Sequence, residues 1–166
     1  GFDTYGCDIS PSDLQIARNS YPHITDRFTQ CSPDPSKNQY YGAANGVNVV
    51  TANQTLYYLS PSDLGICLGK LHDAMEPGGI IFATMMGMQN TNFYDNSEPS
   101  GNGMRRVNFG EGRFAGKVHF INFIEDLDHL KSTFHMFEPY SIGHYSMMLL
   151  DDEDTGFHWV FIGRKR

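Results

Sequence analysis

The pentapeptide Ser-Pro-Ser-Asp-Leu occurs twice in this chain, at residues 10–14 and 60–64, and each copy follows a strand-like run. Serine is a good helix N-cap, and proline suits the first helical position, where its missing N–H would be unpaired in any case. We therefore predict helices that begin at Ser10 and Ser60, each placed shortly after a strand. Such alternation favours a mostly parallel α/β sheet over a β-sandwich or a helix bundle.

Apolar spacing supports both helices. In the first helix, Leu14, Ala17 and Tyr21 recur at the spacing of one helix face. The second helix has a longer apolar stripe, which consists of Leu64, Cys67, Leu68, Leu71 and Met75. The sequence Glu-Pro-Gly-Gly at 76–79 is expected to end this helix and turn the chain.

The predicted strands are the segments 2–7, 24–32, 47–52, 80–85, 140–150 and 157–163. The run 80–85 is apolar throughout, as expected for a strand that helices cover on both faces. The last two segments flank an acidic turn at 151–156, so we expect them to pair as an antiparallel hairpin.

Residues 87–116 interrupt this order because they are rich in glycine and asparagine. We interpret them as a long loop or lid within a single domain that spans residues 1–166. A short strand at 118–120 follows. Asn122 and Glu125 then resemble a capping box, which predicts a helix that packs on the core through Leu127, Leu130 and Phe134.

Composition excludes several classes of protein. The net charge of −7 and the pI of about 5.3 argue against a nucleic-acid-binding protein. No apolar run is long enough for a membrane span, and the chain does not open like a secretory signal. Three widely spaced cysteines fit a reducing compartment, so a soluble cytoplasmic protein is expected. The seven histidines show no metal-binding spacing.

Asp8 is the first candidate for chemistry, because it ends a predicted strand immediately before a helix. A carboxylate at that position can accept hydrogen bonds from the two hydroxyls of a ribose, and Ile9 could pack on the attached base. In the alternative interpretation, Asp8 only stabilises the helix N-terminus through its negative charge.

Four segments resemble the class I S-adenosylmethionine-dependent methyltransferases, in the family's order along the chain. Residues 5–10 (YGCDIS) resemble the second strand, 48–59 (NVVTANQTLYYL) the fourth strand and its exit, 71–80 (LHDAMEPGGI) the turn before the fifth strand, and 161–165 (FIGRK) the last strand. The resemblance implies a Rossmann-like sheet with an antiparallel C-terminal hairpin. It also implies S-adenosylmethionine as cofactor, and methyl transfer to an oxygen or nitrogen atom of a small molecule.

The resemblance also assigns residues to the cofactor. Contacts are expected from Asp8 and Ile9, from Cys31 and Ser32 after the third strand, and from Asn53 and Gln54 after the fourth. The family's first strand, glycine-rich loop and first helix would lie ahead of Gly1, since the loop precedes the acidic residue by about twenty positions.

Acceptor contacts are expected from Tyr58, Arg105, Arg106 and His144, and the acceptor's proton is expected to be removed by His119 or Tyr57. The arginine pair suits an anionic acceptor, although a solvated loop pair would look the same in the sequence.

Two other functions stay open at this point. A nicotinamide-dependent oxidoreductase also carries an acidic residue after its second strand. A non-catalytic module with a methyltransferase-like fold, which acts through interactions, is the second alternative.

Overall fold

The computed structural model describes residues 1–109, 115–146 and 156–166. In chain order, the strands are β1 (Gly6–Asp8), β2 (Phe28–Gln30), β3 (Val47–Ala52), β4 (Met75–Met86), β5 (Ser97–Gly101), β6 (Met104–Asn108), β7 (Val118–Ile121), β8 (Glu138–Tyr145) and β9 (His158–Arg164). The helices are α1 (Pro11–Ser20), α2 (Pro61–Ala74), α3 (Thr91–Tyr94) and α4 (Leu127–Thr133). Short 3₁₀ turns lie at Pro22–Arg27, Pro35–Lys37 and Leu56–Tyr58.

Both predicted helix starts are confirmed. The Ser10 hydroxyl accepts a hydrogen bond from the Asp13 amide at 3.3 Å, and the Ser60 hydroxyl accepts one from the Asp63 amide at 3.2 Å. Each bond satisfies one of the N–H groups that a helix leaves unpaired at its first turn. Both helices consequently begin at the proline that follows the capping serine.

The largest sheet has four strands in the order β3-β4-β9-β8. β3 and β4 are parallel, whereas β9 runs antiparallel to both β4 and β8. The predicted pairing of the last two strands is therefore confirmed, although most of the acidic turn between them lies outside the described residues. The fold is α/β, with a mixed sheet and flanking helices.

A separate parallel pair is formed by β1 and β2, so the described strands do not form one continuous Rossmann-like sheet. The prediction of a strand over 24–32 is wrong for most of that segment. Pro22–Arg27 forms 3₁₀ turns instead, and the strand covers only Phe28–Gln30. Proline explains the start of the turns, because its fixed φ suits a helical turn and it has no N–H to donate to a sheet.

The segment 87–116, which was expected to be a long loop, contains regular structure in its described part. It holds α3 and the hairpin β5–β6, and β7 extends this hairpin into a three-stranded antiparallel sheet. The turn of the hairpin is Gly101-Asn102-Gly103, in which all three residues have positive φ angles of 82°, 52° and 72°. Glycine and asparagine adopt this conformation at low cost, so the residues that suggested a loop are those that make the hairpin turn.

The capping box predicted at Asn122 and Glu125 is wrong. Asp126 caps the helix instead, because its carboxylate accepts the His129 amide at 2.8 Å and α4 begins at Leu127. Leu127 is therefore 39% exposed, not in the core as expected, whereas Asn122 is buried at 3% exposure.

The core lies on both faces of β4. The predicted apolar stripe of α2 is confirmed over Leu64, Cys67, Leu68 and Leu71, which are all buried, whereas the buried Met75 is the first residue of β4. Phe134, the residue after α4, stacks on Phe161 of β9 with ring centroids 4.4 Å apart, and both side chains are fully buried. Within the described ranges, no helix is both long and apolar enough to cross a membrane.

We predict that Phe134→Ala lowers the free energy of unfolding by about 3–5 kcal/mol, because it removes a buried ring and leaves a cavity. Urea unfolding followed by circular dichroism measures this loss. Phe120→Ala is the matched control, since Phe120 is 49% exposed, and it should cost less than about 1 kcal/mol. Equal losses in the two variants would contradict the central position of the Phe134–Phe161 stack.

Candidate cofactor and acceptor site at the carboxyl ends of the strands

Asp8 occupies the carboxyl end of β1 and is exposed. One carboxylate oxygen accepts the Ser10 amide at 2.8 Å, and this bond fixes the orientation of the side chain ahead of α1. The Asp8 carbonyl accepts the Cys31 amide at 2.9 Å, so the end of β2 lies directly beside it. Ile9 is 56% exposed at the same edge. The structure therefore places Asp8, Ile9 and Cys31 close together at one edge.

Cys31 and Ser32 are both involved in local contacts. Cys31 is buried at 7% exposure, and burial is the main reason why the pKa of its thiol is raised. The Ser32 amide donates to the Asn38 side chain at 2.7 Å, and the Ser32 hydroxyl accepts the Asp34 amide at 3.2 Å. These bonds fix the conformation of the loop that follows β2.

Asn53 and Gln54 follow β3 and form a hydrogen-bonded network with the neighbouring strands. The buried Thr84 hydroxyl of β4 donates to the Asn53 side chain at 3.1 Å and accepts the Gln54 amide at 2.7 Å. The Gln54 side chain donates to the Tyr145 hydroxyl at 2.8 Å. Gln54 has a φ of 53°, a left-handed conformation that is uncommon for glutamine. Thr84 therefore holds the Asn53 side chain and the Gln54 backbone at the carboxyl ends of β3 and β4, and Tyr145 holds the Gln54 side chain.

The two tyrosines that follow differ in environment. Tyr57 is buried at 3% exposure, and this burial raises the pKa of its phenol far above the usual value. A phenol that stays protonated cannot act as a base, so Tyr57 serves better as a wall of the site. Tyr58 is 48% exposed, and its ring centroid lies 6.4 Å from that of His119 on β7. His119 is half-buried between Tyr58 and Phe93.

His144 lies apart from this group. Its exposed ring stacks on Phe157 at 5.0 Å and meets Trp159 edge-on at 6.2 Å. Side chains alternate between the two faces of a strand, so His144 and its neighbour Tyr145 project to opposite faces of the sheet.

His158 was not predicted as a site residue, yet it is the histidine that the fold constrains most. It is 7% exposed and pairs with Met86 at the carboxyl end of β4. Its Nδ1 lies 2.9 Å from the Gly156 carbonyl, which can only accept, so Nδ1 carries the proton. Nε2 has no hydrogen-bond partner in the described part of the chain. Burial lowers the pKa of this imidazole. A single histidine within a strand has no spacing signal that would have identified it.

Arg105 and Arg106 project to opposite faces of β6. Arg105 donates to the Ser97 hydroxyl at 2.7 Å and lies over the Tyr94 ring, with 4.4 Å between its guanidinium carbon and the ring centroid. Arg106 forms a salt bridge with Glu98 at 3.0 Å. The structure thus separates two residues that the sequence grouped as one cationic pair.

Comparison with known proteins gives structural matches only. No family model and no curated protein matches the sequence. An S-adenosylmethionine-dependent methyltransferase from Methanosarcina mazei matches with a TM-score of 0.70 and 14% identity, over 97% of this chain and 81% of that one. A second such enzyme, from Mesorhizobium loti, matches with a TM-score of 0.66 and 14% identity, over 97% and 80% of the two chains. The N-methyltransferase NodS from Bradyrhizobium japonicum, solved with S-adenosyl-L-homocysteine, matches with a TM-score of 0.58 and 10% identity, over 96% and 64%.

Identities this low establish the fold and no more. The chain has the fold of the S-adenosylmethionine-dependent methyltransferases, as its four resembling segments predicted.

The buried His158 leads to a prediction about pH. The imidazole stays neutral in the folded protein, whereas in the unfolded chain it takes up a proton near pH 6.5. Its contribution to stability is therefore complete above that pH and is lost as the pH falls towards the lower folded pKa. We expect His158→Asn, which keeps a donor near the Nδ1 position, to flatten the fall in unfolding free energy between pH 7.5 and 5.5.

Urea titrations at the two pH values measure this slope. His144→Asn is the control, since that ring is exposed, and it should keep the wild-type slope. If wild type and His158→Asn lose equal stability on acidification, the buried neutral imidazole is not a source of the pH dependence.

Proposed function

We propose that this protein is a methyltransferase that uses S-adenosylmethionine to methylate an oxygen or nitrogen atom of a small molecule. The observation that carries the proposal is the position of Asp8. This carboxylate is exposed at the carboxyl end of β1 and lies beside the end of β2, in a chain with a methyltransferase fold. Ligands of α/β sheets bind at this edge.

Asp8 has the acceptor capacity that the ribose requires. A carboxylate offers about four lone-pair positions, and the Ser10 amide uses one of them. That bond also orients the side chain, so Asp8 stabilises the start of α1 and still has free positions for two vicinal hydroxyls. The interpretation of Asp8 as a helix-stabilising residue is thus compatible with a role in cofactor binding.

The strand order supports the same proposal. A doubly wound sheet has the order 3-2-1-4-5, and the parallel pairs β2–β1 and β3–β4 match strands 3-2 and 4-5 of that order. Val49 of β3 is 60% exposed, which is unusual for an inner strand of such a sheet. In that order, one further strand would lie between β1 and β3.

The residues at the ends of β3 and β4 would orient the reacting groups. When bound, S-adenosylmethionine would supply a sulfonium methyl group for in-line transfer to the acceptor, with S-adenosylhomocysteine as the leaving group. Asn53 and Gln54, held by Thr84, form a fixed polar edge. Much of the rate acceleration in such a reaction comes from holding the two reacting groups in the correct geometry. His119, half-buried beside the exposed Tyr58, is the residue proposed to take the acceptor's proton.

An oxidoreductase that binds a nicotinamide nucleotide remains the rival, because the role of Asp8 on a ribose would be the same. Thermal-shift measurements on the full-length protein separate the two. S-adenosylhomocysteine should raise the melting temperature, whereas stabilisation by NAD alone would support the rival. A lack of response to both, together with no transfer of labelled methyl groups, would favour a non-catalytic interaction module.

We predict that Asp8→Ala in the full-length protein raises the dissociation constant of S-adenosylhomocysteine about 10- to 100-fold, because hydrogen bonds to a charged group contribute about 1.5–3 kcal/mol. Isothermal titration calorimetry measures this change. Asp13→Ala, five residues along in the first turn of α1, is the control and should leave the constant within about twofold. If the two variants bind alike, Asp8 does not hold the ribose.

A further inference from the structure

A cavity of about 320 Å³ lies beside the carboxyl ends of β3 and β4, outside the contacts assigned above to the cofactor. It is lined by Pro61, Met88, Gly103, Met104, Arg105, Asn122, Phe123, Glu125 and His129. Pro61 starts α2 after the exit of β3, Met88 follows β4, and the Asn122 amide donates to the Tyr57 carbonyl at 2.8 Å. The cavity therefore lies next to Gln54 and Tyr57, at the edge of the sheet where β3 and β4 end.

The polar groups of the cavity are held in fixed positions. Two of the five N–H groups of Arg105 donate to Ser97, at 2.7 and 2.9 Å, so the others remain for a ligand. The His129 Nδ1 accepts the Glu125 amide at 3.3 Å, which leaves the proton on Nε2 as a donor. Asn122 is buried at 3% exposure and lines the cavity.

Asn122 is the polar residue that the fold places most firmly in this cavity, because it is only 3% exposed and lines the cavity wall. Gly103 shows that the cavity is closed by a specific contact. A Cβ at that position would lie 2.7 Å from the Pro61 ring, so the turn of the β5–β6 hairpin packs directly on the start of α2.

The charges in the cavity balance each other. Arg105 contributes one positive charge and Glu125 one negative charge, while Met88, Met104 and Phe123 provide apolar walls. A doubly charged phosphate would be repelled by Glu125. A carboxylate can pair with Arg105 through two parallel bonds, an ammonium group can pair with Glu125, and an apolar body fits between them.

We propose that this cavity binds the methyl acceptor and that the acceptor is a small zwitterion, with a carboxylate, an ammonium group and an apolar side chain. Its role as acceptor site depends on the proposed function, but the binding of a zwitterion does not. Arg105 and His129 hold the carboxylate, Glu125 holds the ammonium group, and Asn122 bonds to either.

Three probes of one shape test the class of ligand: L-phenylalanine, 3-phenylpropionate, which lacks the ammonium group, and 2-phenylethylamine, which lacks the carboxylate. Calorimetry on the full-length protein should show the tightest binding for phenylalanine. Arg105→Gln should raise the dissociation constants of phenylalanine and phenylpropionate about 10- to 100-fold and leave that of phenylethylamine unchanged. Glu125→Gln should raise the dissociation constants of phenylalanine and phenylethylamine by a smaller factor, about two- to fivefold. The factor is smaller because Glu125 is exposed and water screens its charge.

Arg106→Gln is the matched control, since that arginine pairs with Glu98 away from the cavity, and it should bind all three probes like wild type. Glu125 is exposed, so Glu125→Gln should fold like wild type. This variant therefore tests the proposal even if Arg105→Gln disturbs the β5–β6 hairpin.

Equal binding of phenylalanine and phenylpropionate by wild type would overturn the zwitterion assignment. An equal effect of Arg105→Gln and Arg106→Gln would also overturn it, as would binding of inorganic phosphate that depends on Arg105. S-adenosylhomocysteine affinity, measured in the same variants, should stay unchanged. A wild-type protein that binds phenylalanine but not S-adenosylhomocysteine would contradict the proposed function and leave the zwitterion site standing.

Discussion

Strand β4 is the element on which the rest of the structure depends. It is hydrogen-bonded on both edges, to β3 and to β9, and Ile81, Ala83 and Met85 are fully buried. The chain leaves β4 at its carboxyl end and returns to the same point, because the Ile124 amide donates to the Met86 carbonyl at 2.9 Å and the Met88 amide donates to the Ile124 carbonyl at 3.0 Å. The described residues between Met88 and Ile124 are consequently attached at the edge where the candidate site lies.

Those parts of the fold that depend on local chemistry could be predicted from the sequence. The serine caps of α1 and α2 and the apolar stripe of α2 involve neighbours within one or two turns, and β3 was located over its full length. The segment 87–116 was misinterpreted because its glycines and asparagines were counted as loop formers. In the structure, Asn102 and Gly103 form a hairpin turn, for which Asn-Gly is itself a recognised signal.

The candidate site could be predicted only in part, for a related reason. Asp8 ends β1 and Gln54 lies two residues after the end of β3, so the topology of an α/β sheet brings them to one edge without knowledge of side-chain contacts. The separation of Arg105 from Arg106 depends on β6 being a strand, in which neighbours face opposite sides. Asn122 and His158 have no pattern in the sequence, because their roles come from burial by residues that are distant along the chain.

The low identity of the structural matches fits this division between framework and site. Burial around β4 constrains only the size and polarity of core residues, so a fold can persist while nearly every residue changes. The solved methyltransferases are 10–14% identical to this chain in the three comparisons above, and a shared framework is therefore what they establish. The choice of acceptor has to come from residues that the framework does not require. In the proposed assignment, those residues lie between Met88 and Ile124 and at the start of α4, where Arg105, Asn122 and His129 line one cavity.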